Sequence, residues 1–330
     1  MTLPAHLEPS KLGTREYWDE LYTQEIANHS HDPTDTGTAW FDDSDAEAKL
    51  LEFLEDPDHA QELGLDTVAT SFLDLGTGNG ALLFALRDAG WEGPMLGVDY
   101  SAQSVRFARR IERARRLPPT ERRERNGDGE ADNQDDARQE DAAEEDDGEV
   151  DVHFAEHDIL HSSAEVLLDE RFSPSVSDGW DVILDKGTFD AISLSAETLD
   201  QGNDAGDDAT NTNTSAPAPA TTGANLRPGS RRVNEAYGAR ILPLVREGGL
   251  FLITSCNWTE AELRSWFEAD GAVQEMPTAA SNGSGNEGQQ QAAYWGFEVV
   301  GRVEYRSFSF GGVKGQTISS LCFRKVRKSR

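Results

Sequence analysis

The residues most able to do chemistry lie in one run, Asp74-Leu-Gly76-Thr-Gly78-Asn-Gly80. Glycines at every second position let a backbone take positive φ and approach a ligand closely. A dinucleotide fingerprint reads G-x-G-x-x-G and turns a helix N-terminus toward pyrophosphate. Here the spacing is G-x-G-x-G, with an acid two residues ahead of the first glycine. That carboxylate sits badly beside pyrophosphate. It suits a cationic ligand without phosphate, such as S-adenosylmethionine with its amino group and sulfonium. Asp99 follows Gly80 by 19 positions, where a carboxylate can accept from both ribose hydroxyls. The plainer role for Asp99 is a cap ahead of a helix, but Ser101 already supplies one. Asp158 is placed to accept from the adenine amine, with Ile159 against the ring; its alternative is an ordinary loop acid.

A second run, Asp185-Lys-Gly-Thr-Phe-Asp190, stands where the methyl acceptor would come. Methyl transfer needs a neutral nucleophile held in line with the sulfonium. A lysine amine, with a pKa of about 10.4, must first lose a proton and most of its water. Asp185 can hold the incoming ammonium and orient its lone pair, with Thr188 or backbone carbonyls assisting. Lys186 reads more readily as a solvated or salt-bridged lysine than as a catalytic amine. Aromatic side chains can strip water from the amine and favour cations over their faces. Trp18, Tyr22, Trp40, Phe41 and Trp258 are candidates, with core packing preferred for Tyr22 and Phe41. The small polar run Thr254-Ser-Cys-Asn-Trp-Thr259 suggests a pocket rim. Phe308-Ser-Phe-Gly-Gly312 is either part of such a rim or a tight hairpin.

These runs need strands and helices to hold them. Apolar runs predict strands over 72–75, 95–98, 152–155, 180–184 and 250–254, and helices over 81–89, 102–115 and 233–245. Alternating β and α segments imply an α/β, doubly wound, Rossmann-like sheet, mostly parallel and covered on both faces. Two further strands, 297–305 and 317–323, follow without a helix and predict an antiparallel pair at one edge.

Three low-complexity stretches, 117–149, 199–230 and 270–290, lack apolar periodicity and read as disordered insertions in one domain. They dilute the core: hydrophobic residues make up 37% of the 330. Net charge is -31, of which residues 126–151 carry -12. Such charge disfavours nucleic acid and anionic membrane as partners and favours a basic protein. Cys256 and Cys322 make neither a disulfide framework nor a zinc spacing, and no metal site is expected. No segment reaches the ~18 apolar residues of a membrane span. A cytoplasmic protein, with the nucleus as a second compartment, is expected, and a monomer.

The chain also resembles the eukaryotic seven-β-strand protein-lysine methyltransferases that modify translation elongation factor 1-alpha. The resemblance is carried by Lys11-Leu-Gly-Thr-Arg-Glu-Tyr-Trp18, the glycine run, Gly97-Val-Asp-Tyr-Ser101, and Asp185-Lys-Gly-Thr-Phe-Asp190. Thr254-Ser-Cys-Asn-Trp-Thr259 and Phe308-Ser-Phe-Gly-Gly312 complete it. It implies cofactor contacts at Asp74, Gly76, Gly78 and Asp99, and an N-terminal block around Trp18 that covers the cofactor. The candidate cofactor set is then Trp18, Asp74, Gly76, Thr77, Gly78, Gly80, Asp99, Tyr100, Asp158, Ile159 and Asp185. The acceptor side would use Asp185, Lys186, Gly187 and Thr188, with Trp40, Asn257 and Trp258 at a substrate rim. Elongation factor 1-alpha is the implied protein partner. Three rivals stay open: a small-molecule methyltransferase on the same fold, a non-catalytic methyltransferase-like binding protein, and a nicotinamide oxidoreductase, which the glycine spacing disfavours.

Removing residues 126–147 should leave the core folded, because the segment has nothing to bury. Differential scanning calorimetry should give the deletion variant a Tm close to that of the full chain; a large drop would make the segment structural.

Overall fold

Five parallel strands carry the site at their C-terminal ends. The structure, a computed structural model, describes residues 3–116, 151–169, 171–172, 178–199, 231–268, 274–275, 293–310 and 313–329. β1 (Phe72–Leu75) lies between β2 (Met95–Asp99) and β4 (Trp180–Lys186). β3 (His153–Glu156) flanks β2, and β5 (Val245–Ser255) flanks β4. The chain thus runs outward to one side from β1 and then returns to the other. This reversal point is where an open α/β sheet leaves a crevice at its strand ends.

The expected antiparallel pair is β7 (Ala293–Val303) with β10 (Ser319–Ser329), and β10 inserts between β5 and β7. β10 therefore runs against both neighbours, with Leu321 opposite Ile253 on one side and Arg302 on the other. Seven long strands make the sheet, and the two-residue β6 (Gln274–Glu275) adds an eighth against Tyr294 and Trp295. Between β7 and β10 the chain forms the hairpin β8 (Ser307–Phe310) and β9 (Val313–Gln316), so the run around Phe308 takes the hairpin alternative. Gln274 and Glu275 fall inside a stretch expected to be disordered, and they pair as a strand. The remainder of that stretch apart from its two paired residues, the whole of 117–149, and 200–230 lie outside the described residues.

Strand alternation builds two cores, one on each face. Phe72, Val182, Leu184, Leu250, Leu252 and Cys322 point to one. Leu73, Leu75, Ile183, Phe251, Ile253, Leu321 and Phe323 point to the other. On the first face lie α2 (Ala46–Glu55), α4 (Ala81–Asp88) and α5 (Ala102–Arg116), after α1 (Arg15–His31) and the short α3 (Pro57–Leu63). The second core takes in α6 (Thr188–Ser193), α7 (Tyr237–Ile241) and α8 (Glu260–Phe267).

Helix ends follow the local signals. Ser101 Oγ accepts from Ser104 N at 3.3 Å, the expected cap of α5. Thr259 and Glu262 form a capping box at α8, a helix that pattern reading does not predict. The single helix expected over 233–245 is instead a 3-10 turn, α7 and a second 3-10 turn containing Pro243, which has no N–H to continue a helix. β5 starts at Val245, earlier than predicted, and its pairing to β4 is irregular opposite Trp180 and Val182.

Phe323 is fully buried among Phe251, Phe267 and Phe297. Phe323→Ala should cost about 3–5 kcal/mol in urea unfolding. Val68→Ala, on a side chain 63% exposed, should stay within about 0.5 kcal/mol of wild type.

Candidate active site

The loop after β1 can exist only with glycine at two points. Gly76 (φ 64°) and Gly78 (φ 61°) take the left-handed conformation. A Cβ on Gly76 would lie 2.0 Å from Thr188 Oγ1, and one on Gly78 2.7 Å from the Tyr22 hydroxyl. The loop is tied to β2 by Thr77 N donating to Val98 O at 3.0 Å. Asp99 secures it from below: one carboxylate oxygen accepts from Gly78 N (3.2 Å) and Ser104 Oγ (2.8 Å), the other from Ser101 N (2.9 Å). Asp99 therefore caps the entry to α5 and also lines the cavity, rather than doing one or the other.

That cavity, of about 240 Å³, opens above the strand ends. Trp18, Asp74, Gly76, Thr77, Gly78, Asp99, Tyr100, Asp158 and Ile159 line it, as do Lys186, Gly187 and Thr188. Trp40 and Asn257 line it too, and so do Tyr22 and Phe41, which also pack in and against the first core as expected. Three candidates lie elsewhere. Gly80 begins α4 beneath the loop, hemmed by Phe154 and Phe84. Trp258 is 3% exposed and belongs to the second core, against Phe189 and Trp266, with Nε1 donating to Ser193 Oγ. It is a core residue and not part of the rim, because the chain turns inward after Asn257.

Asp185 is the third, and the structure corrects its placement. It is 1% exposed and sits under the cavity wall. Thr188 N (2.8 Å) and Phe189 N (3.1 Å) donate to it, and so does the Tyr237 hydroxyl (2.6 Å). These bonds hold the start of α6 and fix Gly187 and Thr188, which do face the cavity. Asp190, at the other end of that run, lines the cavity and accepts from Cys256 N at 2.8 Å and from Ser255 Oγ.

The cover comes from the N-terminal part of the chain. Trp18 on α1 donates to Leu12 O (2.9 Å), and its ring lies 5.3 Å from that of Trp40. Asp19 accepts from Ser101 Oγ at 2.6 Å, and Ser10 N donates to Leu194 O at 3.0 Å. A strap from Asp32 to Asp45 brings Trp40 and Phe41 to the mouth. Glu25 accepts from Thr38 Oγ1 (2.6 Å), His29 meets Asp35 O (2.7 Å), and Asn79 donates to Thr36 O (2.8 Å). Phe41 is itself left-handed (φ 66°), an uncommon state for a bulky residue, and its ring covers Gly187. Sequence reading misses Glu25, His29 and Asn79. The buried stripe of α1 is Tyr22, Glu25 and His29, two of them polar, so no apolar period announces the helix. Thr14 as its N-cap is the one local signal.

Burial sets the electrostatics. It lifts the Asp74 carboxyl to about 7, with the Lys186 ammonium pulling the other way. Burial also lifts Asp185 to about 7 against the pull of its donors, and raises Asp99 and Asp190. Cys256 is pushed up to about 12 by burial and by Asp190. Lys186 Nζ lies 3.3 Å from Glu47 Oε1 and donates to Trp40 O at 3.3 Å, so the salt-bridged alternative holds.

A family model for a methyltransferase domain matches residues 66–122. Protein-lysine N-methyltransferase EFM4 of Saccharomyces cerevisiae is 31% identical over 322 residues, covering 97% of this chain and 97% of that protein. Its Schizosaccharomyces pombe namesake is 32% identical over 283 residues, covering 81% and 84%. EEF1A lysine methyltransferase 2 of Homo sapiens is 25% identical over 318 residues, covering 96% and 88%.

An aspartate that titrates near 7 when folded, and at about 3.9 when unfolded, binds its proton more tightly in the fold. Its contribution to stability is therefore lost as pH rises through that window. The ligand-free protein should lose Tm between about pH 4 and about pH 7. Asp74→Asn should flatten that fall, melting above wild type at the upper pH and closing the gap at the lower. Parallel curves for the two proteins would mean that Asp74 is ionised throughout.

Proposed function

The chain belongs to the protein-lysine N-methyltransferase family of the EFM4 proteins, and we propose that this member methylates a lysine of translation elongation factor 1-alpha. The enzyme is S-adenosylmethionine-dependent. The observation that carries the reading is similarity over 97% of both chains, which takes in the acceptor segments as well as the glycine loop.

The residues present fit the methyl donor. Asp74 and Asp99 meet at a loop whose glycines leave no room for a Cβ. Lys186 is the one lysine or arginine among the lining residues, so the cavity has little to offer a phosphate. Asp74 would hold the amino group of the donor, Asp99 the ribose hydroxyls, and Asp158 with Ile159 the adenine. When bound, S-adenosylmethionine supplies a methyl group on a positively charged sulfur that departs as a neutral thioether. Everything else falls to the protein. Ionised Asp74 answers a cation, so donor binding draws its proton off. Trp18 and Tyr22 close the cavity from above and exclude water. Asp185 acts from beneath, holding Gly187 and Thr188 in place through the start of α6. Trp40 and Phe41 offer ring faces that favour a cationic side chain and strip its water.

The names of the animal relatives support elongation factor 1-alpha as the substrate. The charge of -31 suits a basic partner, since complementary fields speed encounter. A monomer working in the cytoplasm, with the nucleus as a second compartment, completes the reading.

The test is transfer of radiolabel from S-adenosylmethionine to purified elongation factor 1-alpha, by wild type and by Asp74→Ala, followed by mass spectrometry. Label on a lysine, reduced about ten- to a hundredfold in the variant, is the expected result: a loss of about 1.5–3 kcal/mol is typical of removing a charge-assisted contact. Donor binding without label on this protein would remove the substrate and leave the small-molecule alternative.

A further inference from the structure

We propose that Lys186 sets the field at the acceptor site: its fixed ammonium disfavours a second positive charge there and keeps the incoming lysine in its neutral, nucleophilic form. The inference rests on the lysine-methylation reading above. It assigns the one lysine or arginine among the described lining residues a task that the donor and the aromatic mouth do not perform.

The geometry is specific. Lys186 ends β4, and its side chain is 14% exposed. Its Nζ is held from two sides, by Glu47 Oε1 on α2 and by the carbonyl of Trp40 on the strap, each at 3.3 Å. Lys186 lines the cavity and Glu47 does not, so the positive end of the pair is the nearer to a ligand. The partner that anchors the ammonium also anchors it beside Trp40, the aromatic through which a side chain would enter.

The other charged groups around it are accounted for. Asp74 and Asp99 face the cavity from β1 and β2 on the donor side, and the donor's amino group answers Asp74. Asp190 on α6 is held by Ser255 and Cys256 N. Asp185 is closed off behind the wall, saturated by Tyr237 and the α6 backbone. Asp43 on the strap lies close enough to act on the Cys256 thiol. His157 and His161 line the cavity beyond the end of β3, beside Asp158: burial lowers the His157 imidazole, and His161 is held between Asp158 and Glu197. Among the described lining residues, Lys186 is the cation placed beside Trp40, where it can lower the proton affinity of an entering amine.

The chemical need is plain. A free lysine side chain has a pKa of about 10.4, so at neutral pH less than about 1% is unprotonated. A neighbouring cation lowers that value, and a nucleophilic lysine can be activated in this way. The ammonium gives one proton to water. The lone pair then forms the nitrogen–carbon bond as the carbon–sulfur bond breaks, its pair staying with sulfur, and nothing is oxidised or reduced.

The experiment measures kcat for methylation of saturating elongation factor 1-alpha from about pH 7 to about pH 10, because kcat reports ionisations in the bound complex and this range brackets a depressed amine pKa. Wild type, Lys186→Met, Lys186→Gln and Lys186→Arg are compared, with Tm and S-adenosylhomocysteine affinity confirming that each is folded. Removing the charge should move the midpoint of the basic limb up by about one pH unit. That makes the neutral variants about tenfold slower at the lower end, with recovery as pH rises. Lys186→Gln keeps a polar group that reaches for the Trp40 carbonyl, so it reports charge even if Lys186→Met does not fold. Lys186→Arg should keep the wild-type midpoint. A loss equal at every pH in the neutral variants, with the midpoint unmoved, would make Lys186 a structural strut and overturn the proposal. Wild type that transfers no methyl group at any pH would overturn the functional reading, and the inference with it.

Discussion

Four aspartates are buried where the parallel strands end, and burying a charge is costly unless something answers it. Asp74 is 3% exposed, Asp99 6%, Asp185 1% and Asp190 5%. Three of them are answered from within the fold. Asp99 collects the amides of Gly78 and Ser101, Asp185 those of Thr188 and Phe189, and Asp190 that of Cys256. Each bond pins a loop that would otherwise be free: the glycine run, the start of α6 and the turn after β5. Asp74 stands apart, facing the cavity, with its carboxyl raised to about 7 by burial. Asp185 shapes the site from behind the wall, and Asp99 and Asp190 pin loops while also facing the cavity. Asp74, acted on by the Thr77 side chain and the Lys186 ammonium, accepts from no backbone amide among the described residues and can meet a cation. The division explains why four identical side chains at one sheet edge have different tasks.

The cover over this edge is built on a different economy. α1 buries Tyr22, Glu25 and His29, and an apolar stripe of helical period is missing. The polar members of that stripe hold the strap through Thr38 and Asp35, and Asn79 of the glycine loop holds it through Thr36. Hydrogen bonds, more than apolar area, thus decide where Trp40 and Phe41 stand. Bonds of this kind each contribute modestly in net terms, but they are directional. They position two aromatic rings at the mouth without a large apolar surface to bury.

The acceptor side of the cavity has no single parent segment. Trp40 and Phe41 come from the strap, Lys186 and Gly187 from the end of β4, and Cys256 and Asn257 from the turn after β5. Lys186 joins the first two groups by reaching Glu47 and Trp40 O. Asp190 joins the last two through its bonds to Ser255 and Cys256. A substrate side chain entering here would touch three distant parts of the chain at once. Similarity over 97% of the chain is therefore more telling for the acceptor than a match confined to residues 66–122.

The sequence by itself determined the donor half. Asp74, Gly76, Gly78 and Asp99 belong to two short runs, each a strand with the turn that follows it. Local rules fix such units: a short apolar run, buried on both faces, makes the strand, and only glycine tolerates positive φ at close approach. The parallel direction of β1 to β5 followed from the alternation of β and α segments. Tertiary structure decided the rest. It put Asp185 beneath the wall, because a carboxylate at the head of a helix is claimed by that helix's own free amides. It turned Trp258 into the core, and it gave Tyr22 and Phe41 a face on the cavity in addition to the core packing expected of them. It also slotted β10 between β5 and β7. Asp185 apart, whose amide donors are its own near neighbours, none of these outcomes is written in a local pattern, because each depends on which distant group reaches a ring face or a strand edge first.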